Sequence, residues 1–126
     1  MLLTLSQQKS VVACLVQNTA FSYNWSDQAA TLLDSYESGR KLVKVVEEFR
    51  TEKHRLPSTL IELESYIEGT ITDAAAASSL LAVAQRAYTE KVDDNTATTV
   101  AQYTRQALGQ HLAMQTMAQQ MAAGAD

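Results

Sequence analysis

The sequence predicts an all-α protein, a single-domain bundle of about five helices with a long C-terminal helix. Three observations support this fold class. Proline occurs once and glycine four times in 126 residues, so few positions interrupt a helix. Apolar residues recur at helical spacing along most of the chain, and no segment has the pattern of a strand. A chain of this length forms one domain, which we expect to span residues 1–126.

The first helix is expected to begin with Ser6 as its capping residue and to end near Thr19. Residues 11–16 are apolar on every side of this helix, which predicts burial on two faces. Cys14 lies among them. Because it is the only cysteine, we expect a buried structural residue without a disulfide. Residues 21–25, which are rich in aromatic side chains, are expected to form a connector.

The second helix is expected to span about residues 27–54, with Ser26 as its cap. Gly39 interrupts this helix and predicts either a kink or a close contact with a neighbour. The apolar stripe of the helix consists of Leu32, Leu33, Tyr36, Val43, Val46 and Phe49.

Two shorter helices are expected to follow. Pro57 is suited to the first turn of a third helix over residues 57–67, and Gly69 is expected to stop it. Asp73 lies where a fourth helix should open, and this helix is expected to run to about Tyr88.

The last helix is expected over residues 95–123, and it carries two rows of side chains spaced seven residues apart. The rows form a coiled-coil-like seam of Val100, Thr104, Ala107, His111, Met114, Ala118 and Met121. From residue 95 onward the only formally charged side chains are Arg105 and Asp126. A surface helix of a monomer normally carries more charge, so we expect this helix to contact protein on more than one side.

Charge is also scarce in residues 1–26 and 69–85, where Lys9 and Asp73 are the only charged side chains. We therefore expect a non-enzymatic structural subunit of an oligomeric ring, tube or virion-type assembly. Its partners would be other protein chains, chiefly copies of itself, which would associate through the first and last helices. A second interpretation remains open, in which the seam is the intramolecular core of a monomer.

A basic face within residues 40–55 supports an alternative function, that of a small helical adaptor or regulatory module binding an anionic ligand or nucleic acid. The same face could dock on the acidic half of a neighbouring subunit, or be a solvated face paired with its own carboxylates. A net charge of −4 makes nucleic acid an unfavourable partner. The basic residues concerned are Arg40, Lys41, Lys44, Arg50, Lys53 and Arg55.

The sequence contains no nucleophile elbow, no P-loop and no dinucleotide-binding glycine pattern. Neither His54 nor His111 has a glutamate three residues before it, as a di-iron bundle would require. We therefore expect no catalytic residues, no cofactor and no metal site. No apolar run reaches the ~20 residues of a membrane span, and no signal peptide is recognisable. The expected location is soluble, in the cytoplasm or within an assembled particle.

Overall fold

The computed structural model of the chain describes residues 2–124, with side chains described for residues 2–122. The fold class is confirmed, because within these residues the structure is helical and has no strand. Six helices have seven or more residues, against the five expected, and a seventh, α3, is a single turn. In chain order the helices are α1 (Leu5–Gln17), α2 (Thr19–Trp25), α3 (Ala29–Leu32), α4 (Glu37–Lys53), α5 (Leu60–Thr70), α6 (Ala74–Thr89) and α7 (Asp94–Gly124).

Helix α1 lies at the centre of the bundle, where it packs against α2, α4, α6 and α7. Its cap is Thr4 rather than Ser6. The Thr4 hydroxyl accepts a hydrogen bond from the Gln7 amide at 3.1 Å, and the Thr4 amide donates to the Gln7 side chain at 2.9 Å. Residues 11–16 are fully buried, as their pattern predicted. Burial within the chain therefore explains the low charge of α1, and the expectation that this helix forms an association surface is not supported.

The expected aromatic connector is wrong, because residues 21–25 belong to α2. Asn18 ends α1 and caps α2 at the same time, and its side chain accepts a hydrogen bond from the Phe21 amide at 2.9 Å. Phe21 then points into the core, with its ring centroid 6.3 Å from that of Trp25. A capping asparagine thus starts a helix where the aromatic content alone indicated a loop.

The expected helix over residues 27–54 is divided by a turn between α3 and α4, preceded by a 3₁₀ turn at Ser26–Gln28. A buried glutamine of α1, Gln8, holds the α3–α4 turn. Its carbonyl accepts a hydrogen bond from the Ser35 amide at 3.1 Å, and its amide group donates to Leu3 O at 3.0 Å and Asp34 Oδ1 at 3.2 Å. These contacts give the backbone a partner outside the helix, which favours the turn.

Gly39 lies in the first turn of α4, next to Val12 of α1. A Cβ atom placed at this position would collide with the Tyr36 ring and lie 2.9 Å from Val12 Cγ2. The glycine therefore marks a close contact between helices, which is one of the two roles expected for it.

Two boundaries of α5 differ from the expectation. The helix begins at Leu60 with Thr59 as its cap, since the Glu62 amide donates to the Thr59 hydroxyl at 3.2 Å. Pro57 lies in the preceding loop, and Gly69 lies inside the last helical turn rather than beyond it. Asp73 caps α6 as expected.

Helix α7 spans 31 residues, which corresponds to about 46 Å. Its first turn is capped by Asp93, whose carboxylate accepts a hydrogen bond from the Thr96 amide at 2.7 Å. This bond from Thr96 lowers the pKa of the Asp93 carboxyl. The N-terminal half of α7 packs on α1, and the C-terminal half continues away from these contacts.

Candidate functional site

The seam of α7 passes through two different environments. In the half that packs on α1, Val100, Thr104 and Ala107 are all buried. The hydroxyl of Tyr103, on the same half, donates to Gln7 O at 3.5 Å. This half of the seam is therefore part of the chain's own core.

The other half of the seam is open to solvent. His111 is half-buried, and every residue from 112 to 122 is exposed, including Met114, Ala118 and Met121. We call residues 112–124 the free segment. It is about 20 Å long, and its side chains up to residue 122 lie outside the packed part of the bundle.

Large apolar side chains are concentrated on the free segment. Among the described residues seven such side chains are exposed, and four of them lie here. Their exposed fractions are 60% for Leu112, 69% for Met114, 60% for Met117 and 73% for Met121. Solvent-exposed apolar residues clustered in this way mark interaction sites more often than scattered ones do.

Three of these side chains lie on one side of the helix. With 3.6 residues per turn, Met114, Met117 and Met121 fall within an arc of about 60°. Met114 and Met121 lie within about 40° of the direction of buried Ala107, and Met117 lies about 80° from it. We call these three residues the methionine stripe. Leu112 lies on the other side, about 160° from Met114. Met114 and Met121 thus extend the Ala107 edge of the buried face of α7 into solvent, and Met117 lies beside that line.

The sequence pattern missed two of these exposed residues, Leu112 and Met117. The seven-residue repeat selects neither of them, because Leu112 faces away and Met117 lies beside the seam. The three-residue spacing from Met114 to Met117 was the available signal, since positions i and i+3 are neighbours on a helix.

The free segment has no formal charge to keep it solvated. No Asp, Glu, Lys or Arg occurs between Arg105 and Asp126. Exposed Gly109, just before the segment, lowers helix propensity by ~1 kcal/mol relative to alanine, and short isolated helices are marginal in water. The free segment is therefore the part of α7 that the rest of the bundle supports least.

The basic face has a different structure. Arg55 forms a bidentate pair with Glu62, with N–O distances of 2.6 and 2.7 Å, and the Ser58 amide also donates to Glu62 at 2.7 Å. The hydrogen bond from Arg55, with a smaller contribution from Ser58, lowers the pKa of the Glu62 carboxyl to about 2. Arg55 therefore ties the end of α4 to the start of α5.

Most of the other basic side chains are also engaged within the chain. Arg50 donates to the Ser22 hydroxyl at 3.1 Å and lies over the Tyr23 ring at 5.1 Å. Arg40 donates to the backbone carbonyl of Leu33. The remaining pairs are Lys41 with Glu37 at 3.5 Å and Lys53 with Glu52 at 3.8 Å. The two lysines are thus paired with acidic residues of the same chain, and the two arginines contact uncharged groups.

Arg40 and exposed Lys44 line a shared cleft of about 420 Å³ beside the 3₁₀ turn. Asp27 and Glu47 line the same cleft, so its charge is mixed. Burial raises the pKa of the Glu47 carboxyl. An anion entering here would meet two carboxyl groups, which weakens the case for the adaptor function.

The described residues also bear on metal binding, membrane insertion and thiol chemistry. No cluster of three or more His, Cys, Asp or Glu side chains capable of holding a metal occurs among them. No helix within residues 2–124 combines the length and apolar character needed to cross a bilayer. Cys14 is buried, and desolvation raises the pKa of its thiol to about 12, so the reactive thiolate is disfavoured.

Comparison with known protein families, with curated proteins and with solved structures found no match to this chain. The arrangement of its own residues is therefore the basis for a function.

Proposed function

We propose that this protein is a non-enzymatic structural subunit that assembles with copies of itself through the free segment of α7. The observation that supports this proposal is the methionine stripe, an exposed apolar row on a segment of α7 without formal charge. Methionine has a flexible and polarisable side chain that adapts to a partner surface, so it suits a contact of this kind.

The size of the stripe indicates how it would have to be covered. Full burial of one exposed methionine contributes roughly 1.5–3 kcal/mol. The three on one chain are already about one third buried, so covering them contributes about 3–6 kcal/mol. Association costs an estimated 4–15 kcal/mol in lost translational and rotational freedom and in ordering. One stripe against a polar surface hardly offsets that cost, whereas two stripes that bury each other provide about twice the gain. The energetics therefore favour a partner with an equivalent apolar stripe, and another copy of the chain has one.

Such a contact is a means of assembly rather than of catalysis. A single two-fold contact gives a dimer, and a second contact elsewhere on the bundle would extend dimers into a ring, a tube or a virion-type particle. The burial of α1 restricts this proposal to α7, although both helices have few charged residues.

The proposal is tested by placing charge on the stripe while the core is left intact. Ala107, in the buried half of the seam, is unsuitable because a glutamate there would disrupt the fold. The test variant combines Met114→Glu, Met117→Glu and Met121→Glu. Leu112→Glu is the matched control, since Leu112 is equally exposed but faces the other side of α7.

Sedimentation velocity on the wild-type chain and both variants provides the measurement. We expect the wild-type and Leu112→Glu chains to associate, and the triple variant to sediment as a 13.8 kDa monomer with an unchanged far-UV circular dichroism spectrum. Equal association of all three chains would refute a role for the methionine stripe. A monomeric wild-type chain at every concentration would refute the proposed function.

A further inference from the structure

The rows of the seam have different side-chain sizes on the free segment and just before it. One row contains His111 and Ala118, and the other contains Met114 and Met121. In a coiled coil these rows occupy the two core positions of the heptad. How two copies would pair depends on which row of one copy meets which row of the other.

We infer that two copies of this chain pair through their free segments as an antiparallel coiled coil, with a two-fold axis close to residue 116. This inference rests on the proposed function and specifies its geometry. In an antiparallel pair each row meets the other row of the partner. Met114 then packs against Ala118 of the second copy, and Met121 packs against His111 of the second copy.

The two-fold axis makes this contact self-complementary. Every core layer pairs one methionine with Ala118 or His111, so no layer contains two methionines or two alanines and the side chains can interdigitate. In a parallel pair each row would meet itself. His111 would then lie against His111, methionine against methionine, and Ala118 against Ala118, which leaves one underfilled layer between two crowded methionine layers.

Charge favours the antiparallel arrangement as well. Each copy has a net charge of −4, and residues 106–125 have no formally charged side chain. An antiparallel pair places the two bundles at opposite ends of the shared helices, whereas a parallel pair places them side by side. Separation reduces the repulsion between two acidic bundles, and the contact itself contains no like charges.

Residues beside the seam distinguish the two arrangements. Gln115 lies next to the proposed axis, on one edge of the seam. In an antiparallel pair this edge meets the same edge of the partner helix, so the two Gln115 residues are neighbours. In a parallel pair the two Gln115 side chains would lie on opposite sides. Met121 shows the reverse pattern. In a parallel pair the Met121 residues of the two chains lie side by side. In the antiparallel pair they are about 15 Å apart along the helix.

The experiment uses two full-length variants, Gln115→Cys and Met121→Cys, each treated with a short bifunctional thiol reagent and analysed by denaturing electrophoresis. The wild-type chain is the control, because buried Cys14 should form no cross-link. We expect Gln115→Cys to form a covalent dimer readily and Met121→Cys to cross-link at least tenfold more slowly. With helix axes about 8–10 Å apart, the Cα atoms of two such flanking positions are about 9 Å apart, which a short bifunctional reagent spans. The two Met121 positions of an antiparallel pair are about 15 Å apart along the helix and lie beyond its reach.

The outcomes separate this inference from the proposed function. Rapid cross-linking of Met121→Cys without that of Gln115→Cys would establish a parallel pair and overturn the inference, while the proposed function would stand. A wild-type chain that associates while neither variant cross-links would also overturn it. That result would point to a head-to-tail contact, such as the free segment docked in the groove of about 380 Å³ between α4 and α6. A monomeric wild-type chain would refute both.

Discussion

Replacement of Gly39 by alanine is a direct test of the packing of α4 against α1. The added Cβ would collide with the Tyr36 ring and lie 2.9 Å from Val12 Cγ2, closer than such atoms pack. The Tyr36 ring is half-buried and can shift, but Val12 is only 1% exposed and is held within the core. The backbone of Gly39 is not in the left-handed region, so lack of space is the reason for the cost.

The magnitude follows from two opposing effects. Overpacking of a well-packed core typically costs about 1–3 kcal/mol. Alanine in place of glycine inside a helix returns ~0.5–1 kcal/mol through propensity and a lower entropy of the unfolded chain. We therefore expect Gly39→Ala to lower the free energy of unfolding by about 1–2 kcal/mol. This corresponds to a decrease in Tm of about 3–10 °C for a chain of this size.

Urea unfolding followed by far-UV circular dichroism, at one fixed protein concentration, measures this change. Gly69→Ala is the matched control, because an added Cβ at Gly69 has no heavy atom within 4 Å. The control should be neutral or slightly stabilising. If Gly39→Ala is as stable as Gly69→Ala, the close approach of α4 to α1 is wrong.

Three further predictions concern titration, oxidation and thiol reactivity. The pKa of the Glu62 carboxyl is about 2 in the folded chain, below its usual value, because Arg55 donates a hydrogen bond to it. The Arg55–Glu62 pair therefore adds stability above pH ~4.5, and this stability is lost as the pH falls towards 2. Glu62→Gln should therefore lower stability at pH 7 and not at pH 2 in urea unfolding, whereas Glu68→Gln on the same helix should behave like the wild-type chain at both. Peroxide converts methionine to the polar sulfoxide, so it should dissociate the wild-type assembly. Replacement of the three stripe methionines by leucine should prevent this dissociation. If peroxide leaves the mass of the wild-type assembly unchanged, the stripe does not have the proposed role. Buried Cys14 should react with a thiol reagent at the rate of global unfolding, and rapid labelling of the native chain would show that α1 is not central.

The sequence was sufficient for the fold class because apolar spacing depends on local helix geometry. The burial of residues 11–16 followed from their lack of any polar face. The division of the second helix was missed because its cause is distant in sequence. Gln8 holds the turn at Ser35 from 27 residues away, and no pattern within the turn reveals that contact.

The candidate surface could be predicted in part. The seven-residue repeat selected Met114 and Met121, which are exposed in the structure, and the absence of charge indicated an unusual environment. Whether a seam residue is buried or exposed depends on how far α1 extends along α7, which is a tertiary property. For the same reason the low charge of α1 was misread, since burial within one chain and burial between chains select the same residues.

The most direct test of self-assembly through α7 is the absolute mass of the wild-type chain, measured by light scattering on a sizing column over a wide range of concentrations. The account predicts a mass that is a multiple of 13.8 kDa at high concentration and falls towards 13.8 kDa on dilution. A constant mass of 13.8 kDa up to the highest concentration would contradict it.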